Sequence, residues 1–279
     1  MFLSLLNVNV GENPDCPSPG RQWLASVYRV HQRLWMAFPG RDRRERDPFF
    51  LGPWTGPDGS THKPKRHEAG FLFRIERDGC PRILVQSVQR PDWDYAFQNA
   101  PYLLVGTPAV RQFEAAPQRD QAYRFRLLAN VVENRTFARP DGSMRTTRAG
   151  LTIARRRRTE AIIYPSRVPD PLPSDLAERQ RALHAQWEPW RAWLERLGEK
   201  HGFRAIDDDL TPLHMAPVRT MVRRPRKDPP GFHDPKRFNA GLFEGTLMCT
   251  ELNALRDAVI DGLGRAKGFG FGLLSLAPA

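Results

Sequence analysis

The sequence has few cysteines and no long apolar run. Its three cysteines, Cys16, Cys80 and Cys249, lie far apart and form no C-x-x-C pair. This spacing argues against a disulfide framework and against a zinc knuckle, so we predict ordinary thiols and no metal site. No stretch approaches the roughly 18 apolar residues of a membrane span, and residues 1–10 lack the features of a signal peptide. We therefore expect a soluble, cytoplasmic protein.

Acidic residues are also scarce relative to basic ones. The chain has 43 Lys and Arg against 31 Asp and Glu, a formal charge of +12 at pH 7. This excess favours a polyanionic partner, either nucleic acid or an anionic membrane surface. No basic amphipathic helix with a broad apolar face is present, which argues against the membrane. The 279 residues, 40% of them hydrophobic, suit one large domain or two small ones, and we expect two.

Hydrophobic periodicity and turn signals predict the elements of the first half. The pair Asp78-Gly79 is a strong hairpin signal between two strand-like runs. Pro and Gly at residues 101–108 argue against a long second helix in the weakly patterned segment 91–118. The predicted elements are a strand at 2–10, a helix at 22–38 ended by Pro39-Gly40, strands at 70–77 and 82–89, and a strand at 122–132. This order, β-α-β-β-(α)-β, is that of a ferredoxin-like domain.

The second half repeats the order loosely. The predicted elements are a strand at 150–154, one long helix at 174–202 that Pro189 could interrupt, strands at 214–224 and 239–250, a helix at 251–261 and a last strand at 269–277. We therefore predict an α+β protein with tandem ferredoxin-like (RRM-like) βαββαβ domains. The boundary is placed in the polar, turn-rich segment 138–150, which gives domains 1–140 and 141–279.

The first predicted helix has two functional faces. Its apolar residues fall in a sector about 80° wide, at about 100° per residue, and should pack on the sheet. They are Trp23, Val27, Val30, Leu34 and Phe38. A neighbouring sector holds Tyr28, His31, Gln32 and Trp35. Since Tyr28 and His31 are three residues apart, their side chains can reach the same small region.

Tyr28 and His31 could carry out acid–base chemistry. Histidine has an ordinary pKa of about 6.5, so it accepts and donates protons near neutral pH, and tyrosine can position or protonate an oxyanion. The pair suits phosphodiester cleavage by a ribose 2′-hydroxyl, which needs no metal. The simpler interpretation is a half-buried histidine at the edge of the core with Tyr28 as its hydrogen-bond partner. Spacing alone leaves both open.

A glycine-rich segment at residues 262–272 contains two basic side chains. Gly264, Gly268 and Gly270 permit close backbone approach, and Arg265 and Lys267 could hold a phosphate of RNA. A helix-to-strand turn also favours glycine, so this signal alone is weak. The segment is not a dinucleotide-binding fingerprint, because it follows a helix and has Lys267 where the third glycine should stand.

Two basic clusters lie between predicted elements. The second resembles a long loop that joins two antiparallel strands, and such a loop can insert against an RNA helix. The alternative is solvated charge without a partner. The predicted RNA-binding residues of these clusters are Arg155, Arg156, Arg157, Arg158, Arg223, Arg224, Arg226 and Lys227.

Three blocks of the sequence resemble a known family. "YRVHQRLWMAFPG" near the N-terminus, "YRFRLLAN" in mid-chain and "GLGRAKGFGFGLLSLAP" at the C-terminus are similar to CRISPR repeat-processing endoribonucleases of the CasE (Cse-three) type, from type I-E systems. The last block fits the glycine pattern of these nucleases, with G-L-G at 262–264 and G-F-G at 270–272. The segments 41–66 and 223–238 look longer than the family needs and are interpreted as insertions.

This resemblance implies a function. The family contains metal-independent ribonucleases without a cofactor, which cut precursor CRISPR RNA at the 3′ base of each repeat hairpin and leave a 2′,3′-cyclic phosphate and a 5′-hydroxyl. They then hold the crRNA as subunits of the Cascade complex, which links them to target DNA only indirectly. By motif, the catalytic histidine corresponds to His31 and its tyrosine to Tyr28. The alternative is a non-catalytic subunit that only binds the RNA hairpin.

Overall fold

A computed structural model describes residues 1–13, 16–38, 70–138, 144–146, 152–154, 156–208, 211–222, 225–226, 231–232 and 236–279. The helices are α1 (Pro19–Leu24), α2 (Val27–Trp35), α3 (Trp93–Phe97), α4 (Leu176–Ala185), α5 (Glu188–His201) and α6 (Leu252–Asp261), with 3-10 turns at Pro101–Leu103 and Lys267–Phe269. The strands are β1 (Phe2–Asn7), β2 (Phe71–Glu76), β3 (Arg82–Ser87), β4 (Ala109–Gln112), β5 (Ala122–Asn130), β6 (Val132–Ala138), β7 (Met144–Thr146), β8 (Thr152–Ala154), β9 (Arg156–Ile162), β10 (Phe203–Ile206), β11 (His214–Val222), β12 (Pro225–Arg226), β13 (Gly231–Phe232), β14 (Lys236–Cys249) and β15 (Leu274–Pro278).

The first sheet consists of four antiparallel strands in the order β2-β3-β1-β4. The predicted hairpin between β2 and β3 is confirmed, with Glu76 opposite Arg82. Gly79 in its turn has φ of +71°, a value that glycine adopts without a steric penalty. The central position of β1 means that both of its edges are occupied, by β3 on one side and β4 on the other.

The predicted helix at 22–38 is two helices. Ser26 has extended backbone angles, and its side chain accepts a hydrogen bond from the N–H of Arg29, so α2 starts afresh at Val27. Ser18 caps α1 in the same way, through the N–H of Arg21. The predicted apolar stripe is confirmed despite this break, because Trp23, Val27, Val30, Leu34 and Phe38 are all buried.

Strand β5 lies in the second sheet, although its position in the sequence predicted the last strand of the first domain. Its partners are β14 and β15, and it is paired with β14 from Ala122 to Asn130. The place beside β1 is taken by β4, which lies in the segment that the sequence showed only as weakly patterned. Helix α3 in that same segment has five residues, which confirms that no long helix forms there.

The second sheet has the order β10-β14-β5-β15, with β11 also paired to β14. Its predicted strands at 214–224 and 239–250 are confirmed as the long antiparallel pair β11–β14. Helix α6 is capped by Glu251, whose carboxylate accepts from the N–H groups of Asn253 and Ala254. The predicted long helix at 174–202 is interrupted, because Pro189 is the second residue of the separate helix α5, a position that proline tolerates.

The described chain forms two compact units. One comprises Met1–Asn130 and Glu195–Ala279 and contains the two larger sheets, and the other is Val131–Leu194. In the second unit, the fully buried Trp190 donates from Nε1 to the carbonyl of Ile163 at 2.9 Å. The boundary between residues 140 and 141 stays a prediction.

The main core of the first unit joins both sheets. Phe71 and Phe73 of β2 belong to the same buried cluster as Phe238 and Ala240 of β14 and Phe271 of the glycine-rich segment. Helix α2 therefore lies on a continuous apolar layer and is held in a defined orientation toward that segment. Among the described residues, no helix has the length and apolar character that crossing a bilayer requires.

Candidate active site

His31 lies on α2 in a setting of aromatic rings. Its imidazole is stacked on Phe71 at 5.4 Å between ring centroids, with 26° between the ring planes. Trp35, one turn further along α2, meets it edge-on at 5.2 Å, and Phe73 lies at 6.1 Å. Since these rings come from both α2 and β2, they define the orientation of the half-buried imidazole.

The glycine-rich segment passes directly over His31. A Cβ atom added at Gly268 would lie 3.7 Å from Cε1 of His31 and 3.9 Å from Nε2. At Gly270 an added Cβ would lie 3.2 Å from the ring of Phe73. A larger side chain at either position would therefore meet the imidazole or the ring that packs beside it. The glycine-rich segment thus lies against the His31 face of α2.

Backbone hydrogen bonds hold the segment in place. Gly272 has φ of +83°, and an added Cβ would lie only 2.2 Å from the carbonyl oxygen of Leu263. The N–H of Leu263 donates to the carbonyl of Gly272 at 2.8 Å, and the N–H of Gly272 donates to Leu128 on β5 at 2.7 Å. Only glycine fits this close approach. The segment is thus attached to α6 at one end and to the second sheet at the other.

The two predicted phosphate-binding cations of this segment differ in their surroundings. Nζ of Lys267 donates to the carbonyls of Asp261 and Gly262, so the ammonium group neutralises the C-terminal end of α6. Arg265 is exposed, and its backbone forms a bridge to Asn130. Gly264 precedes it with φ of +69°. A phosphate-binding role for these residues stays a prediction.

Tyr28 lies one turn before His31 on α2. It is half-buried and packs against the main core. Positions three residues apart share a face of a helix, so the two side chains lie on the same side of α2. The catalytic roles of Tyr28 and His31 stay a prediction.

Arg33 points away from this site. Its guanidinium donates to the carbonyl of Ala96 at 3.0 Å and to Oδ1 of Asn99 at 2.7 Å. Burial lowers the pKa of Arg33 below its ordinary value. Arg33 therefore lies on the side of α2 that faces α3, since Ala96 belongs to α3 and Asn99 to the loop after it.

The predicted basic clusters are only partly described. Arg155, Arg223, Arg224 and Lys227 lie outside the described residues. The placement of the first cluster between elements is wrong for Arg156, Arg157 and Arg158, because they belong to β9, which pairs with β6. Arg226 belongs to the short strand β12, within the connection between β11 and β14. That connection joins two antiparallel strands, as predicted.

Sequence reasoning missed a buried arginine beside the site. Arg74 of β2 is 3% exposed and donates to Glu76 at 2.8 Å. It also donates to the carbonyls of Arg126 and Leu273. Arg126 belongs to β5, and Leu273 directly follows the glycine-rich segment. Burial lowers the pKa of Arg74, and Glu76 partly opposes this effect. The detectable signal was an arginine enclosed by apolar residues in "FLFRIE".

Arg126 extends the charged cluster toward the surface. It lies 2.7 Å from Asp78, 3.0 Å from Glu244 and 3.8 Å from Glu76. Burial alone would lower the pKa of Arg126, but the hydrogen bond to Asp78 and the three carboxylates raise it. The cluster thus binds β2 and the turn after it to β5 and β14. In the part of the chain that the structure describes, no three or more His, Cys, Asp or Glu side chains are grouped so as to hold a metal ion.

The fold and site define an α+β protein with tandem ferredoxin-like domains, in which a helix with a histidine faces a glycine-rich segment. A family described as "CRISPR associated protein" matches residues 1–278, so the chain belongs to this family. The fold class and the family that the sequence predicted are both confirmed.

Individual relatives are similar over nearly the whole chain. The Cascade subunit CasE of the Escherichia coli (strain K12) CRISPR system is 26% identical over 265 residues, which are 92% of this chain and 95% of that protein. The CRISPR-associated endoribonuclease Cse3 of Thermus thermophilus is 27% identical over 261 residues, 92% of this chain and 93% of that protein. A solved structure of CRISPR endoribonuclease Cse3 bound to 19-nt RNA has a TM-score of 0.56 and 25% identity, with 100% of both chains covered.

Proposed function

We propose that this chain is an endoribonuclease that processes precursor CRISPR RNA and is a subunit of a Cascade complex. The observation that carries the proposal is the enclosure of His31 between Phe71 of β2 and Gly268 of the glycine-rich segment. Support comes from the relatives named above, one called an endoribonuclease and one a Cascade subunit. The net charge of +12 suits an RNA partner.

The proposed cleavage occurs at the 3′ base of the repeat hairpin. The 2′-hydroxyl upstream of the scissile phosphate attacks phosphorus, the bond to the 5′-oxygen breaks, and the products are a 2′,3′-cyclic phosphate and a 5′-hydroxyl. His31 transfers a proton as general base or acid, and Tyr28 orients or protonates an oxygen of the reacting phosphate. This chemistry needs no metal ion and no cofactor.

A cation near the phosphate would stabilise the charge that develops in the transition state. The candidates from the glycine-rich segment are Arg265, which is exposed, and Lys267, whose Nζ donates to two carbonyls. The basic clusters at 155–158 and 223–227 are proposed to contact the hairpin stem. After cleavage the protein retains the hairpin in a cytoplasmic Cascade complex and meets target DNA only through that complex.

The test uses a repeat-hairpin RNA, a chelator and three proteins. Wild type is expected to produce the cyclic phosphate in the chelator, and replacement of the upstream 2′-hydroxyl by hydrogen should abolish the product. His31→Ala should slow single-turnover cleavage by about 10²- to 10⁴-fold, the usual contribution of a general acid or base, and retain binding. His184→Ala is the matched control, because His184 is an exposed histidine on α4.

Three outcomes would contradict the proposal in different ways. Tight binding of intact RNA by wild type would favour the non-catalytic hairpin-binding subunit. Cleavage that stops in the chelator and returns with a divalent cation would contradict the metal-independent chemistry. An unchanged rate in His31→Ala would contradict only the catalytic role assigned to His31.

A further inference from the structure

A cavity of about 220 Å³ opens beside His31. Val27 lines the cavity and lies four residues before His31 on α2. Four residues span about 6 Å along a helix axis. Phe269 and Gly270 also line it and directly follow Gly268, the residue that covers the imidazole. The cavity therefore lies within about one helical turn of the proposed reacting groups.

The walls of the cavity are apolar but only partly buried. Their apolar residues are Ile75, Leu128, Val218, Leu242 and Phe269, which are half-exposed, and Val27 and Phe271, which are buried. Leu128 and Leu242 are direct partners on β5 and β14, so their side chains lie on one face of the second sheet. An aromatic ring and several aliphatic side chains thus remain open to water in a strongly basic chain.

The rim of the cavity is polar and includes both positively and negatively charged side chains. Asp78 and Arg126 form an ion pair at 2.7 Å, and Arg77 donates to the carbonyl of Leu24 at 3.0 Å. Thr220 adds a hydroxyl to the lining, and the ion pair of Arg74 and Glu76 also borders the cavity. Apolar walls with a few polar groups at the edge suit a flat heteroaromatic group, whose faces are apolar and whose edge forms hydrogen bonds.

The proposed cleavage requires a base next to the scissile phosphate to leave its stack, and an unstacked base is such a flat heteroaromatic group. In a stacked A-form strand the 2′-hydroxyl is not in line with the bond from phosphorus to the leaving 5′-oxygen. To reach that alignment, the two nucleotides that flank the scissile phosphate must separate, and the base that leaves the stack loses its stacking energy. An apolar cavity next to the reacting phosphate can compensate for this loss.

We propose that this cavity binds the unstacked base of a nucleotide that flanks the scissile phosphate. The proposal rests on the proposed function, and its occupant is a single nucleobase. The volume agrees, because 220 Å³ is below the roughly 300–1,000 Å³ of sites for drug-sized ligands. Base binding here would hold the sugar and phosphate in line beside His31, so it would contribute to the rate of cleavage more than to the affinity for the hairpin.

The experiment combines a filled cavity with an RNA that lacks the base. Val218→Trp places an indole in the cavity, and Val105→Trp is the matched control, since Val105 is 61% exposed on the loop after Pro101–Leu103. Repeat hairpins carry an abasic site at one or the other flanking nucleotide. Wild type should cleave one abasic RNA roughly tenfold or more slowly than the natural RNA, with little change in binding.

Val218→Trp should slow cleavage of natural RNA by a similar factor and show no further loss on that abasic RNA, whereas Val105→Trp should behave as wild type. Additive losses, or no loss from either change, would overturn the cavity proposal and leave the proposed function intact. If wild type cleaves no RNA, the proposed function fails instead. In that case 2-aminopurine at the flanking position still tests the cavity, because its fluorescence should rise on binding to wild type and not to Val218→Trp; equal signals would overturn the proposal.

Discussion

The orientation of single residues at the site is determined by the residues that pack around them. His31 is oriented by Phe71 and Trp35 and covered by the backbone of Gly268, so its position depends on three separate elements. The sequence predicted His31 and Tyr28 from their spacing and from the family motif. It could not predict the aromatic enclosure, because Phe71 is 40 residues away in the chain.

Gly268 tests how tightly His31 is covered. Gly268→Leu should place a branched side chain against the imidazole and slow cleavage by about 10²-fold, as expected for a misplaced reacting group. Gly268→Ala is the control, because its Cβ would lie at an ordinary contact distance of 3.7 Å from Cε1. Single-turnover rates and hairpin affinities should be measured for both. Equal rates in the two variants would contradict the proposed contact with His31.

His201 predicts a dependence of stability on pH. Burial, with the positive charges of Lys200 and Lys267, lowers its pKa below the ordinary 6.5. The unfolded chain therefore binds the proton more readily, so the stability due to His201 is complete above about pH 6.5 and is lost as the pH falls through the folded pKa. His201→Gln should show a smaller fall in Tm than wild type from pH 6.5 downward.

His184→Gln provides the comparison for His201, since it removes an exposed histidine of α4. Its curve of Tm against pH shows what the loss of a histidine side chain does by itself. If His201→Gln and wild type give parallel curves, the folded protein does not disfavour protonation of His201.

At the scale of elements, the turns determine where the site residues lie. Helix α1 ends at Leu24, Ser26 caps the start of α2, and the glycine-rich segment connects α6 to β15 across β5. The sequence predicted the hairpin at Gly79 and the helix-to-strand turn at residues 262–272 from their turn residues. It did not predict the break at Ser26, because the apolar stripe continues across both helices with helical spacing.

Gly272 tests the strained part of the glycine-rich segment. Gly272→Ala combines a positive φ with a Cβ only 2.2 Å from the carbonyl oxygen of Leu263, and should lower the free energy of unfolding by about 3 kcal/mol. Gly79→Ala is matched in φ but has no described atom within 4 Å of the added Cβ, and should cost about 1 kcal/mol. Urea denaturation measures both. Equal losses would show that the close approach to Leu263 is not retained in solution.

At the scale of the whole molecule, the core and the charged cluster join the two sheets of the first unit. The core cluster includes rings from β2, β14 and the glycine-rich segment. Arg74 adds hydrogen bonds from β2 to carbonyls of Arg126 and Leu273. The site depends on this joint, because His31 packs on β2 and Gly268 belongs to the segment that leads into β15.

Substitution of Arg74 tests how much its hydrogen bonds contribute to the connection between the two sheets. Arg74→Met should lower the free energy of unfolding by about 3–5 kcal/mol, because it leaves Glu76 poorly paired and removes the donors from the buried Leu273 carbonyl and the partly buried Arg126 carbonyl. The double variant Arg74→Met/Glu76→Leu should be less destabilised than the sum of the single variants, since it removes both charges of the ion pair. Chemical denaturation of the four proteins measures the coupling. Strictly additive losses of unfolding free energy would contradict an energetic coupling between Arg74 and Glu76.

The sequence by itself determined the local features of this protein. Period-2 and period-3.6 patterns, the pair Asp78-Gly79 and the glycines at 262–272 depend on neighbouring residues, so most of the elements, the hairpin and the face of α2 could be predicted. The order of the elements predicted the tandem ferredoxin-like fold, and the family motif assigned catalytic roles to His31 and Tyr28, which stay predictions.

Only the tertiary structure decided which distant elements meet. Strand β5 pairs with β14 and β15, while the short β4 fills the edge of the first sheet, because pairing depends on partners far away in the chain. The same long-range packing places Gly268 on His31, buries Arg74 against β5 and the end of the glycine-rich segment, and leaves a cavity beside α2. Local periodicity contains no information about such contacts, since they form only when both sheets share one core.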